Sequence, residues 1–153
     1  MLHYQAELPH IVFLFSDTGG GHRSASEAII EALNLEYPGL FTIDMIDVFR
    51  DYAPPPLHYA PEIYPPLTRM PDMWRLGYKL SDGRRRVHFT SRMMYPYVRH
   101  SVDRLLQENP AELYVSVHPL INSSLLQAMG KHRSVPYVTV VTDLVTAHAF
   151  WYH

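Results

Sequence analysis

The chain has 153 residues, enough to bury one core and most simply a single domain. Its 47% apolar and 18% charged residues exclude a disordered chain, and a net charge of −2 gives no signal for nucleic acid. The lack of cysteine excludes disulfides, thiolate metal sites and cysteine nucleophiles, and favours a reducing compartment.

No apolar run approaches the ~18 residues of a membrane span. The N-terminus also lacks the basic and apolar regions of a signal peptide, so a cytoplasmic location is expected. After a short lead-in, residues 11–15 form a continuous apolar run, as in a parallel strand covered on both faces. The run feeds into Ser16-Asp17-Thr18-Gly19-Gly20-Gly21-His22-Arg23-Ser24. A helix is expected over residues 24–37, with Ala25, Ala28, Ile29, Ala32 and Leu33 on one face and a stop at Pro38-Gly39. Residues 40–49 read as a second strand, which completes a right-handed βαβ unit.

The pattern breaks over residues 51–86. Seven of the 13 prolines lie between Pro54 and Pro71, interleaved with Tyr52, Tyr59, Tyr64, Trp74 and Tyr78, so a long irregular insertion of functional or mobile character is expected. A helix resumes near residue 87, with a possible kink at Pro96, and closes at Asn109-Pro110. Residues 113–117 are a third strand, residues 121–129 a short helix ended by Gly130, and residues 137–142 a fourth strand. Strands alternating with helices predict an α/β fold, a Rossmann-like, doubly wound parallel sheet. Such sheets bind ligands beyond the carboxyl ends of their strands. Polar clusters at 17–22, 116–118 and 142–148 all follow strand ends and line one predicted crevice.

In the first cluster, glycines allow positive φ and close backbone approach. The N–H groups opening the helix favour an anion or a polar oxygen. A neutral His22 at that mouth can remove a proton from a hydroxyl, and the helix N-terminus disfavours its imidazolium form. Asp17 can orient the imidazole or hold an acceptor. A phosphate-binding P-loop is excluded, because Gly21 is followed by His22-Arg23. The dinucleotide fingerprint is a near miss, met only as Gly19, Gly21 and Ser24, with Asp44 or Asp47 as the ribose acid. A tight strand-to-helix turn with a capping histidine is the plainer alternative. No metal site is expected, since His148 and His153 lack partners at a ligand spacing.

The segment 16–28, Ser-Asp-Thr-Gly-Gly-Gly-His-Arg-Ser-Ala-Ser-Glu-Ala, resembles the opening motif of the monogalactosyldiacylglycerol synthase family, which includes bacterial processive diacylglycerol glucosyltransferases. Residues 115–120 (Val-Ser-Val-His-Pro-Leu) and the stretch 138–153 agree with it in the same order. The resemblance implies the N-terminal, acceptor-binding half of a GT-B fold, similar to the lipid-linked N-acetylglucosaminyl transferase of peptidoglycan synthesis. It further implies inverting transfer of galactose or glucose from UDP-galactose or UDP-glucose to diacylglycerol, with no cofactor beyond that co-substrate. His22 matches the family's general base. Asp17 joins it as a catalytic candidate, and Gly19, Gly20, Gly21, His118, Asp143, His148 and Trp151 are candidates for the acceptor site. His118 and Asp143 also stand where each can cap the segment that follows. The C-terminal donor domain lies outside residues 1–153, so the chain alone is expected to be inactive.

Nine of the 13 lysines and arginines fall between Arg69 and Arg104, opposed only by Asp72, Asp82 and Asp103. With aromatic residues interleaved, this composition suits an anionic leaflet or, more plainly, a solvated basic helix face. The resemblance favours the leaflet, with Trp74, Arg84, Arg85 and Arg86 facing anionic lipid and Pro56 matching a family proline tied to anionic-lipid response. It implies a protein peripheral on the inner face of the membrane. The alternatives from other classes are a non-catalytic lipid- or nucleotide-binding module and a dinucleotide-dependent enzyme.

Overall fold

The computed structural model of the chain describes residues 8–19, 21–132, 135–143 and 147–152. Four strands there form one sheet: β1 (His10–Phe15), β2 (Thr42–Asp47), β3 (Leu113–Ser116) and β4 (Tyr137–Thr139). Their order is β2-β1-β3-β4 and every neighbouring pair is parallel, with Phe13 opposite Met45 on one side and Val115 on the other. This is the expected Rossmann-like α/β fold.

The uninterrupted apolar run of β1 is explained by burial on both faces. Ile11 and Phe13 pack under Ile29, Ile30 and Leu33 of α1 (Gly21–Glu36). Val12 and Leu14 pack on the other face, against Tyr95, Val102 and Leu105 of α5 (Arg84–Glu108) and Leu125 and Met129 of α6 (Pro119–His132). Each fully buried side chain of this kind contributes roughly 1.5–3 kcal/mol. From β1 the chain goes to β2 on one side and returns to β3 on the other, with its helices on opposite faces. That reversal leaves a crevice beyond the carboxyl ends of β1 and β3.

The stretch expected to be irregular is mostly helical. A four-residue helix α2 (Val48–Asp51) follows β2 directly, then a 3₁₀ turn (Leu57–Tyr59), α3 (Ala60–Thr68) and α4 (Pro71–Ser81). Several prolines that read as breakers sit where a helix accepts them: Pro71 is the first residue of α4 and Pro61 lies in the first turn of α3, where no N–H is needed. Pro65 and Pro66 lie inside α3 and remove two of its own hydrogen bonds, so α3 is held by its neighbours α2 and α4. Other boundaries also move. Helix α1 begins at Gly21, inside the glycine run, and α5 begins at Arg84. Gly130 does not end α6, which continues to His132. Strand β4 stops at Thr139, short of Thr142.

Candidate functional site

Gly19 shapes the loop after β1. Gly19 has φ 89°, and its N–H donates to the Asp17 carbonyl at 2.9 Å, turning the chain within a few residues of the strand. A Cβ on Gly19 would lie 3.3 Å from Tyr64 Cε1, so the bare backbone also lets α3 approach the loop. Gly21 opens α1 with open space around it, and Gly20 lies outside the described residues. Buried Asp47 ties this loop down. Its Oδ2 accepts from the Asp17 N–H at 3.0 Å and its Oδ1 from the Arg50 N–H at 3.1 Å, capping α2. Asp44 instead meets His10 Nε2 at 2.9 Å. The acid expected for a dinucleotide ribose is therefore already engaged.

His22 is the second residue of α1 and points into the crevice. Its ring centroid lies 4.6 Å from that of His118 and 6.4 Å from that of Trp151. Thr142 Oγ1 is 3.1 Å from its Nδ1. Burial lowers its pKa from the ordinary histidine value, only partly offset by the Val117 backbone and the Asp143 carboxylate.

Two further histidines line the same cavity and are committed to structure. At His118, which is buried, Nδ1 accepts the Leu120 N–H at 3.3 Å, so Nε2 carries the proton and donates to Thr18 Oγ1 at 2.8 Å. It caps the start of α6, the plainer of its two expected roles. Burial, and then the neighbouring His22, holds its pKa well below the usual range. At His148, Nδ1 accepts the Phe150 N–H at 3.2 Å and Nε2 donates to Ser81 Oγ at 3.1 Å. Ser81 sends its own proton to the Gly77 carbonyl at 2.8 Å. Of the three, His22 alone accepts no backbone N–H among the described residues.

Asp17 does not hold the imidazole. Arg23, six residues on in the first turn of α1, takes both of its carboxylate oxygens, at 2.8 and 2.6 Å, and this bidentate pair lowers its pKa. The carboxylate near His22 is Asp143, whose Oδ2 accepts from Trp151 Nε1 at 2.6 Å and from the His148 N–H at 3.5 Å. Trp151 is thus buried behind the site as an anchor and does not line the cavity.

These groups face a cavity of about 520 Å³, within the usual range for small-molecule sites. Its lining combines polar side chains, among them Thr18, His22, His118, Asp143 and His148, with a larger apolar part that includes Phe49, Pro56, Leu57 and Ile63. The expected residues His22, His118, Asp143, His148 and Pro56 therefore converge. Arg84, Arg85 and Arg86 are exposed elsewhere, and Arg86 Nη1 donates to the Lys79 carbonyl at 2.9 Å, closing the end of α4. The side chain of Trp74 lies outside what is described. Sequence reasoning missed Thr18, Thr142 and Ser81 as partners of the three histidines; Thr18 and Thr142 lie in the polar clusters at 17–22 and 142–148, whereas Ser81 carried no local signal. Among the described residues, no group of three or more histidines and carboxylates is placed to hold a metal ion.

A family model described as monogalactosyldiacylglycerol (MGDG) synthase matches residues 22–153. Among curated proteins, the chain is 32% identical over 153 residues to "Probable monogalactosyldiacylglycerol synthase 2, chloroplastic" of Oryza sativa subsp. indica, covering 97% of this chain and 32% of that protein. It is 30% identical over 147 residues to monogalactosyldiacylglycerol synthase 1, chloroplastic, of Arabidopsis thaliana, covering 94% and 27%. It is 31% identical over 146 residues to synthase 3 of the same plant, covering 94% and 31%. The chain thus spans about a third or less of the length of these relatives.

Proposed function

The chain belongs to the monogalactosyldiacylglycerol synthase family, and on that premise we propose that it supplies the acceptor-binding half and the general base of a GT-B diacylglycerol glycosyltransferase. The observation that carries this reading is the division of labour among the cavity histidines. His118 and His148 are locked by hydrogen bonds on both ring nitrogens, whereas His22, half-buried and with a lowered pKa, lines the same largely apolar cavity with Thr142 on its Nδ1.

In the proposed reaction the acyl chains of diacylglycerol lie along the apolar wall and its free hydroxyl reaches His22. The imidazole takes the hydroxyl proton as the oxygen bonds to the anomeric carbon of UDP-galactose or UDP-glucose. The bond from that carbon to the UDP oxygen breaks in the same displacement, inverting the carbon, and UDP leaves with the electron pair. The nucleotide-sugar is held mainly by a second domain outside residues 1–153, in keeping with the larger size of the relatives. The protein works peripherally on the cytoplasmic face of a membrane. Arg84 and Arg85, with exposed Leu76, Leu80, Phe89 and Met93 nearby in sequence, supply the anionic-lipid surface.

The test is His22→Ala in a protein of the relatives' full length. We expect turnover to fall by about 10²–10⁴-fold with diacylglycerol binding retained. Lost binding with unchanged turnover of the bound fraction would instead favour a binding module. The 153-residue chain by itself is expected to transfer no sugar, and labelled glycolipid formed by it alone would refute the two-domain reading.

A further inference from the structure

Thr142 lies 120 residues from His22 in sequence, yet its Oγ1 is 3.1 Å from His22 Nδ1. It sits just past β4, in a segment fixed on both sides. The Val140 N–H donates to the Ser116 carbonyl at 2.8 Å, continuing the parallel pairing, and Asp143 is clamped by Trp151 Nε1 at 2.6 Å. The Thr142 hydroxyl is thus delivered by the sheet and not by a loose loop. Thr142 does not line the cavity, whereas His22 does, so the Nδ1 edge is turned to Thr142 and the other edge to the cavity. A threonine hydroxyl accepts an N–H as readily as it donates, so it can hold a proton on Nδ1.

We infer that Thr142 is a positioning residue that holds the His22 proton on Nδ1, leaving the Nε2 lone pair facing the cavity. A histidine has two neutral tautomers, and the hydrogen bond on one nitrogen decides which nitrogen is basic. Only the form protonated at Nδ1 can receive a proton from a hydroxyl in the cavity. Asp143 and Trp151 act one step further back, by anchoring the segment that carries Thr142. The inference rests on the proposed role of His22 for its meaning in catalysis, but the tautomer is measurable without any turnover.

The experiment is long-range ¹H–¹⁵N correlation spectroscopy of the His22 ring in the 153-residue chain, above its titration, in the wild type, Thr142→Val and Thr142→Ser. The wild type is expected to show a protonated Nδ1 and an unprotonated Nε2. Valine keeps the shape but removes the hydroxyl, and should lower the Nδ1-H to Nε2-H ratio by about threefold to tenfold, the value of one ordinary hydrogen bond. Serine should restore the wild-type ratio. An Nε2-protonated wild type, a valine variant with the wild-type ratio, or a serine variant no better than valine would each overturn the assignment. A correct tautomer alongside a catalytically silent His22→Ala would overturn only the transferase reading, so the two failures are distinguishable.

Discussion

Gly19 stands at φ 89°, where an L side chain costs roughly 1–2 kcal/mol before any contact is counted. Its missing Cβ would also press on the Tyr64 ring at 3.3 Å. Gly19→Ala should therefore destabilise the chain by about 1–3 kcal/mol in urea unfolding. Gly21→Ala, with open space and no positive φ inside α1, should be neutral or stabilising by up to about 1 kcal/mol. Equal effects at the two positions would remove the special status given to Gly19. His118 and His22 make a second prediction at this scale. Burial keeps His118, and to a smaller degree His22, from taking a proton in the fold, while the unfolded chain takes one near pH 6.5. The unfolded state then binds more protons, so stability is complete above about pH 6.5 and is lost as pH falls toward the folded values. The urea midpoint should drop between about pH 7 and about pH 5, and less so in His118→Gln, which no longer titrates. A midpoint with the same acid slope in that variant would contradict the assignment.

At the scale of elements, the end of α4 and the 3₁₀ turn Ala149–Trp151 (which carries the anchoring Trp151) hold each other. Asp82 Oδ1 accepts the Ala149 N–H at 3.0 Å, beside the Ser81–His148 bond. Asp82→Ala should cost about 0.5–1.5 kcal/mol and raise hydrogen exchange at Ala149, whereas exchange in β1 should not change. Unaltered protection at Ala149 would show that the bond adds nothing. This pairing joins residues 67 apart and left no trace in the sequence. The elements that could be read were those whose pattern is dictated locally. Strand β1 needs an apolar residue at every position because both its faces are covered, and His22 is fixed by following a glycine turn at the start of a helix. Helices α3 and α4 could not be read, because their prolines signal breaks and their helicity depends on packing against α2 and each other. Asp17 does not orient the imidazole for a related reason: the turn brings Arg23 to its carboxylate. Thr142 and Ser81 become partners of histidines only once the sheet order and the fold of the insertion are known.

For the whole molecule, the insertion has two sides. Gly77, Tyr78 and Ser81 of α4 line the cavity, while Leu76 and Leu80 of the same helix are 58% and 62% exposed. In α3, Tyr64 faces the cavity and Ile63 both lines it and is 53% exposed. One pair of short helices therefore separates an apolar cavity from an apolar, cation-fringed exterior. A lipid entering from a bilayer would cross little water if that exterior rests on the membrane. The charge contribution separates by residue. Arg86 is spent on the Lys79 carbonyl, whereas Arg84 and Arg85 are exposed at the start of α5. Near an anionic surface each such cation is worth about 1 kcal/mol, so Arg84→Ala with Arg85→Ala should weaken binding to anionic vesicles by about 30-fold. The loss should shrink at high salt, where a surface attraction is screened over roughly 3 Å at 1 M. Arg86→Ala should instead lower stability through the end of α4, with a smaller change in vesicle affinity per residue. Vesicle sedimentation and urea unfolding on the same variants separate the two roles. If the double variant binds anionic vesicles as the wild type does, the face on Arg84 and Arg85 is merely solvated, and the proposed entry of lipid past that face is lost.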